Sequence, residues 1–242
     1  MSDEVQGLVT VLITNFNYGI FIEDAVKSSV AQTYSPLELI IFDDGSTDNS
    51  REVIKDLKAR YEDRFEGLRT YYFEHLGING VLNRGIPLIN GKITIILDAD
   101  DKLFPSYTDR TTQVLVENRS KDVGFVYSNS VLIDEHGNEI GVGHSTEFDP
   151  ELLRHKSYIP GCGATLTEAL NKTLPLDEKI KVGTKVHRWR KIADNKFKGL
   201  HIPESLFFYR MHKNNISGIG KRLLVDVLNG ARNPLLSAYW QS

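Results

Sequence analysis

Cysteine is almost missing from this chain of 242 residues: Cys162 stands alone. A disulfide framework and a multi-cysteine zinc site are therefore excluded. No apolar run approaches the roughly 18 residues that a membrane-spanning helix needs. The first seven residues carry Asp3 and Glu4 and no basic cluster, so no secretory signal is expected. Asn118, Asn171 and Asn215 open Asn-x-Ser/Thr triplets, which without such a signal read as chance matches. The reducing cytoplasm is the expected compartment. The seven histidines show no His-Glu-x-x-His spacing, so a zinc site built on that pattern is not expected. A phosphate loop is missing too. Five residues separate Gly85 from Gly91, and Ile93 stands where a Ser or Thr is needed.

What is present describes a globular protein, with 40% hydrophobic and 25% charged residues. The length suits one large domain, or a domain with a C-terminal extension. The 29 basic and 32 acidic residues leave a net charge of −3, but unevenly spread. Residues 179–198 hold Lys179, Lys181, Lys185, Arg188, Arg190, Lys191, Lys196 and Lys198 against Asp194 alone. That window is +7, and the remainder of the chain is −10. Such a patch either meets an anionic partner or is a solvated helix face. Nothing points to nucleic acid.

The first hundred residues alternate strand and helix signals. Strands are expected at Leu8–Thr14, Leu37–Phe42, Arg69–Phe73 and Lys92–Leu97, where β-branched and apolar residues cluster. Helices are expected at Phe21–Gln32, from Ser46 through Phe65, and at Asn79–Ile89, the last broken by Gly85 and Pro87. Alternation with short connections implies βαβ units and a mostly parallel sheet. The second half is more irregular. A helix opens at Pro105, a strand covers Val123–Ser128, and a hairpin turns at Glu135–Asn138. Short helices are expected at Asp149–His155, Gly183–Asn195 and Leu223–Leu228, and a last strand at Ser205–Met211.

In parallel sheets ligands bind beyond the carboxyl ends of the strands. Each early strand ends in polar groups: Thr14-Asn15, Asp43-Asp44, Glu74-His75, and Asp98 to Asp101. Asp98 and Asp100 are two apart, so in extended backbone both carboxylates face one way. Paired hard oxygens suit Mg²⁺ or Mn²⁺ and leave room for substrate phosphates. Asp44 begins a turn into a helix and could accept hydrogen bonds from a ribose or base.

Several segments together resemble family 2 glycosyltransferases of the Rossmann-like GT-A fold. They are Val9 to Asn17, Ser28 with Gln32, Phe42-Asp-Asp-Gly-Ser-Thr-Asp48, Leu97-Asp-Ala-Asp-Asp101 and Phe208-Tyr-Arg-Met-His212. The resemblance runs from about residue 8 to 217 and implies a parallel α/β sheet flanked by helices. It divides the chain into a nucleotide-sugar half (1–104), a smaller acceptor-side half (105–218) and a helical tail (219–242). It implies inverting transfer of a sugar from a nucleotide-diphosphate donor, most simply a UDP-sugar, to a glycan or lipid-linked acceptor. Thr14, Phe16 and Asp44 would line the nucleobase pocket, Asp98 would approach the ribose, and Asp98 and Asp100 would hold Mn²⁺ or Mg²⁺. His212 would join the metal site, with Arg210 at the diphosphate.

The chain departs from that pattern twice. Leu82-Asn83-Arg84 replaces an Arg-Asn pair that reaches the nucleotide, and Gly183-Thr184-Lys185 replaces the Gly-Glu-Asp that supplies the general base. Replacement bases, in order, are His187, Glu178 and Asp177. The competing reading is an inactive nucleotide-sugar-binding partner subunit. An aspartate phosphatase is excluded by Lys102, where Thr or Val is required, and Asn15–Ile20 lacks the glycine-rich basic loop of a nucleotidyltransferase. The basic window would meet an anionic acceptor or hold the chain peripherally on the inner face of a membrane.

Overall fold

The computed structural model describes residues 7–215. The expected helix at Leu223–Leu228, like the rest of the 219–242 tail, lies outside the described residues. The first half runs β1 (Val9–Asn15), α1 (Ile22–Val30), β2 (Leu37–Asp43), α2 (Ser50–Tyr61), β3 (Gly67–Tyr72), α3 (Ile78–Gly85) and β4 (Ile93–Asp98). The second continues with β5 (Lys102–Leu103), α4 (Tyr107–Glu117), β6 (Val123–Ile133), β7 (Glu139–Gly143), α5 (Pro150–His155), β8 (Ala164–Leu166), α6 (Thr167–Thr173), α7 (Thr184–Asp194) and β9 (Lys198–Arg210).

One nine-stranded sheet joins both halves in the order β3-β2-β1-β4-β8-β6-β9-β5, with β7 off this path, pairing antiparallel with the C-terminal part of β6. Strands β1 to β4 pair in parallel, as βαβ alternation demands. Every residue of β1 and β2 is buried, which requires helices on both faces. Successive side chains divide accordingly. Val9, Val11 and Ile13 pack with α1 and α2, through Ile22, Val26, Ile54 and Leu57. Leu12, Ile40 and Phe42 face α3 and α7, through Val81, Leu82, Val186 and Trp189. The parallel register sets Asn15, Asp43, Tyr72 and Asp98 at one edge.

The second half differs from expectation in three places. Strand β6 runs unbroken through 11 residues, where the sequence suggests a strand and a separate hairpin arm. Its register against β9 shifts around Asn129, and that irregularity interrupts the alternation. Strand β9 begins at Lys198 rather than Ser205. Pro203 falls inside it, between the pairs Ile202–Ser128 and Ser205–Asn129, at the register break where a proline removes no ladder bond. Strand β8 has three residues, too few to show a period, yet it bridges the halves by pairing antiparallel with both β4 and β6.

Helix α3 ends at Gly85 and passes into a 3-10 turn over Ile86–Leu88, as Gly85 and Pro87 foretell. Gly85 has a packing reason: a Cβ there would lie 1.9 Å from Cε2 of buried Phe42. Gly85→Ala is expected to lower the free energy of unfolding by about 1–3 kcal/mol through overpacking. A urea titration checks this. An unchanged midpoint at unchanged slope would show that Phe42 yields without cost.

Candidate functional site

A cavity of about 480 Å³ opens at the carboxyl ends of β1, β2 and β4. A larger one, about 610 Å³, lies between Lys92 at the start of β4 and helices α4 and α6, away from the converging acids. The first cavity is the candidate site because chemistry converges there. Thr14, Phe16, Asp44, Asp98, Asp100 and Glu178 line it, six of the residues singled out from the sequence.

Asp43 ends β2 and Asp44 follows it, and their side chains point apart. Asp43 turns inward: it accepts from Asn15 Nδ2 at 2.8 Å and from the Ser46 N–H at 3.0 Å, fixing the following turn. Asp44 turns to the cavity and accepts from the backbone N–H groups of Leu76 (2.6 Å) and Gly77 (2.9 Å), at the entry to α3. His75 stacks on Phe16 with centroids 4.1 Å apart, forming an aromatic wall above Asp44. A flat apolar wall beside a carboxylate suits a planar base with hydrogen-bond donors.

At the end of β4, carboxylate oxygens of Asp98, Asp100 and Asp101 lie within 4.8 Å of one another. Burial and the charges of Asp100 and Asp98 push the Asp101 carboxyl well above its usual range. That is the behaviour of like charges crowded into one buried site. The donor set is all hard oxygen, of the kind that could hold a hard divalent cation.

Arg210 and His212 stand behind these acids rather than in the cavity. Arg210 is almost wholly buried. Its backbone N–H donates to Asp101 Oδ1 (2.9 Å), its Nε to the Asp100 carbonyl (2.8 Å), and its Nη2 to Asp24 Oδ2 (2.7 Å). This geometry positions the acidic turn. His212 is clamped by Tyr18 and Phe21. Its Nδ1 accepts from the Asn214 N–H, so Nε2 carries the proton and donates it to Asp100 Oδ2 at 3.0 Å. Asn215 Nδ2 reaches the same oxygen at 3.2 Å.

The three base candidates separate. The Asp177 N–H donates to His187 Nε2 at 3.3 Å, and neither residue lines the cavity. Burial and the charge of Lys191 push the His187 pKa down. Glu178 lines the cavity, held by Asn83 and Arg84 at 3.1 Å each. Those contacts keep it ionised, the Asn83 hydrogen bond most of all. Asn83 and Arg84 thus anchor the loop before α7, by way of Asn83 bonds to both N–H and carbonyl of Leu176.

Lys185 stands out in the sequence as one cation of the +7 window and as the residue at the family's base position. In the structure its ammonium is ion-paired with Asp98, whose other oxygen accepts from Thr14 Oγ1 at 3.3 Å. Arg188 on the same helix is buried and donates to the Gly161 carbonyl at 2.9 Å. The spacing of three between Lys185 and Arg188 is the one available signal that both share a helix face. Their inward turn also breaks up the +7 window. Lys179 and Lys181 are exposed before α7, Lys196 and Lys198 after it, and Arg190 and Lys191 bond the carbonyls of Leu153 and Pro175. The window is therefore not one continuous basic face, because the helical period distributes its cations around the axis.

Acids converging at the carboxyl rim of a helix-covered parallel sheet define the α/β class whose ligands bind at that rim. The family model "Glycosyl transferase family 2" matches residues 10–174, and the chain belongs to that family. An uncharacterized glycosyltransferase of Nostoc sp. is 30% identical over 229 residues, covering 86% of this chain and 66% of its own. A Campylobacter jejuni protein named GalNAc(5)-diNAcBac-PP-undecaprenol beta-1,3-glucosyltransferase is 24% identical, covering 88% and 67%. Relatives in Rickettsia conorii and Rickettsia felis are longer, and the matched part is 21% of each. Among solved structures, a mannosyltransferase of Pyrobaculum calidifontis in complex with GDP-Man and Mn²⁺ has a TM-score of 0.66 at 19% identity, over 97% of this chain and 69% of that one. S. aureus TarS in complex with UDP also has 0.66, at 13% identity, over 93% and 66%. These neighbours share the GT-A fold. No helix among the described residues is long and apolar enough to cross a membrane.

If Arg210 positions rather than binds, Arg210→Met should destabilise the protein without any ligand. Removing one partner of a buried charged network costs about 3–5 kcal/mol, less here because Asp24 is half-exposed. Urea titration of the ligand-free variant checks this. Parental stability with loss only of nucleotide affinity would make Arg210 a binding residue instead.

Proposed function

We propose that this chain binds a nucleoside-diphosphate sugar in the 480 Å³ cavity and transfers the sugar, with inversion, to a glycan or lipid-linked acceptor. One observation carries the reading: the carboxylates of Asp98 and Asp100 converge beside Thr14, Phe16 and Asp44 in a single cavity at the ends of parallel strands. The printed names of relatives and neighbours support it, since they include a lipid-linked acceptor, UDP and GDP-Man. UDP-sugars are the first donors to test, with Mn²⁺ or Mg²⁺.

In this reading Phe16 and His75 cover the base, and Asp44 and Asp98 orient the nucleoside. A divalent ion held by Asp98 and Asp100 would neutralise charge on the departing diphosphate. His212, through Nε2, and Asn215 hold Asp100 in place. The acceptor oxygen bonds to the anomeric carbon from the face opposite the diphosphate. The sugar–phosphate bond breaks, its electrons leave with the diphosphate, and the acceptor proton passes to a base. Glu178 is the base this geometry favours, because it alone of the three candidates faces the cavity and is ionised. Lys181, which lines the cavity, and exposed Lys179 two residues before it would meet an anionic acceptor or a lipid diphosphate at a membrane surface.

Asp100→Asn should abolish Mn²⁺-dependent nucleotide binding with the fold retained. Glu178→Gln should retain donor binding and lower transfer by about 10²–10⁴-fold. Calorimetric titration with UDP and GDP, then transfer assays, check both. Undiminished Mn²⁺-dependent binding in Asp100→Asn would overturn the metal assignment. Tight donor binding by the parent, with no transfer or donor hydrolysis, would favour the inactive partner subunit. The lysine at the family's base position is the observation that keeps that second reading in view.

A further inference from the structure

Three features around Lys185 are left unexplained by a metal-dependent donor site. First, helix α7 delivers an ammonium to the very carboxylate that would approach the metal and ribose, and the pair is only partly covered, with 33% of the lysine and 27% of the aspartate side chain exposed. Secondly, the route is built for it. A Cβ on Gly161 would come within 2.5–2.6 Å of Cδ, Cε and Nζ of Lys185, so the lysine stem lies directly against that glycine and would have to shift if a side chain stood there. The ammonium also lies 5.7 Å from the Tyr209 ring centroid. Thirdly, Arg188, one turn further along, is 3% exposed and lines the same cavity, and its Nε has no hydrogen-bond partner. A buried guanidinium with a vacant donor beside a cavity is suited to an anion.

We propose that Lys185 is a fixed cation of the donor site: it takes over part of the charge that a divalent metal supplies, so that this chain binds a nucleoside diphosphate without added metal. The proposal rests on the donor-site reading above and extends it. With no ligand, Lys185 compensates Asp98. With a nucleoside diphosphate in the cavity, its three N–H groups can bridge Asp98 and a phosphate oxygen, while Arg188 adds positive potential from behind. Asp98 is then shared between lysine and metal, so the two compete. Helix α7 contributes a cation where the family carries a base, which accounts for the substitution without requiring a dead site.

The test is calorimetric titration of UDP and of GDP into the full chain, in Mn²⁺ and in EDTA, for the parent, Lys185→Met and Gly161→Ala. Lys185→Met keeps the stem against Gly161 and removes the charge. Gly161→Ala keeps the charge and displaces the stem. Circular dichroism and melting curves confirm that each variant is folded. The parent is expected to bind in EDTA with an affinity within about tenfold of that in Mn²⁺, and Lys185→Met to lose about ten- to a hundredfold in EDTA, the effect of one charge-assisted hydrogen bond. In Mn²⁺ its loss should be smaller, and the ligand-free variant should bind Mn²⁺ more tightly than the parent. Gly161→Ala should fall between the two. Binding by the parent in Mn²⁺ but not in EDTA would overturn the proposal and leave the donor site standing. Equal binding by parent and Lys185→Met in EDTA would also overturn it, reducing the ion pair to a structural contact. Absence of nucleotide binding under every condition would sink the donor-site reading and this proposal with it.

Discussion

Asp98, Asp100 and Asp101 leave β4 within four residues, with oxygens inside 4.8 Å of one another. Like charges about 4 Å apart near a protein surface repel by roughly 4 kcal/mol per pair. Against a total stability on the order of 5–15 kcal/mol, that repulsion cannot stand uncompensated. Much of the surrounding structure compensates it. Arg210 binds the turn from behind, His212 and Asn215 donate to Asp100, and Lys185 meets Asp98 from α7. Charge still converges on the cavity, and that residual field is what a metal or a cationic side chain can use.

The compensation also ties the halves of the chain together. Arg210 ends β9, His212 and Asn215 follow it, and Lys185 belongs to α7, all from the second half of the sequence. Their partners end β4 in the first half. Strand β8 makes the same connection in the sheet by pairing with β4 and β6. A continuous sheet fixes the distance from α7 to the ends of β1 and β4, so a single substitution on α7 changes the electrostatics of the cavity at that rim. Lys185 meets Asp98 at the end of β4 although it lies in the second half of the chain.

A metal and a lysine differ as counter-charges. A divalent ion brings two charges, exchanges with solvent and can be chelated. An ammonium brings one, is strongly hydrated, and remains tethered at one radius from its helix. The lysine is present whenever the chain is folded. Its stem lies against Gly161 and its ammonium against Asp98.

The first half of the chain was legible because its signals are local. Runs such as Val9–Asn15 and Leu37–Asp43 are buried on both faces, and a buried parallel strand reads as an unbroken apolar stretch. The polar residues that end those strands fall at one rim because parallel pairing allows nothing else. Thr14, Asp44, Asp98 and Asp100 could therefore be named from the strand ends, whereas Phe16 was named only through the family resemblance. The second half was less legible because its order is tertiary. Strand β8 is too short to show a period, and β9 carries a proline at a register break that only its partner strand defines. The sequence by itself determined which carboxylates gather and on what kind of sheet. The tertiary structure decided which charges answer them, because a salt bridge between residues 98 and 185 depends on the packing angle of a helix, and no spacing along the chain encodes that angle.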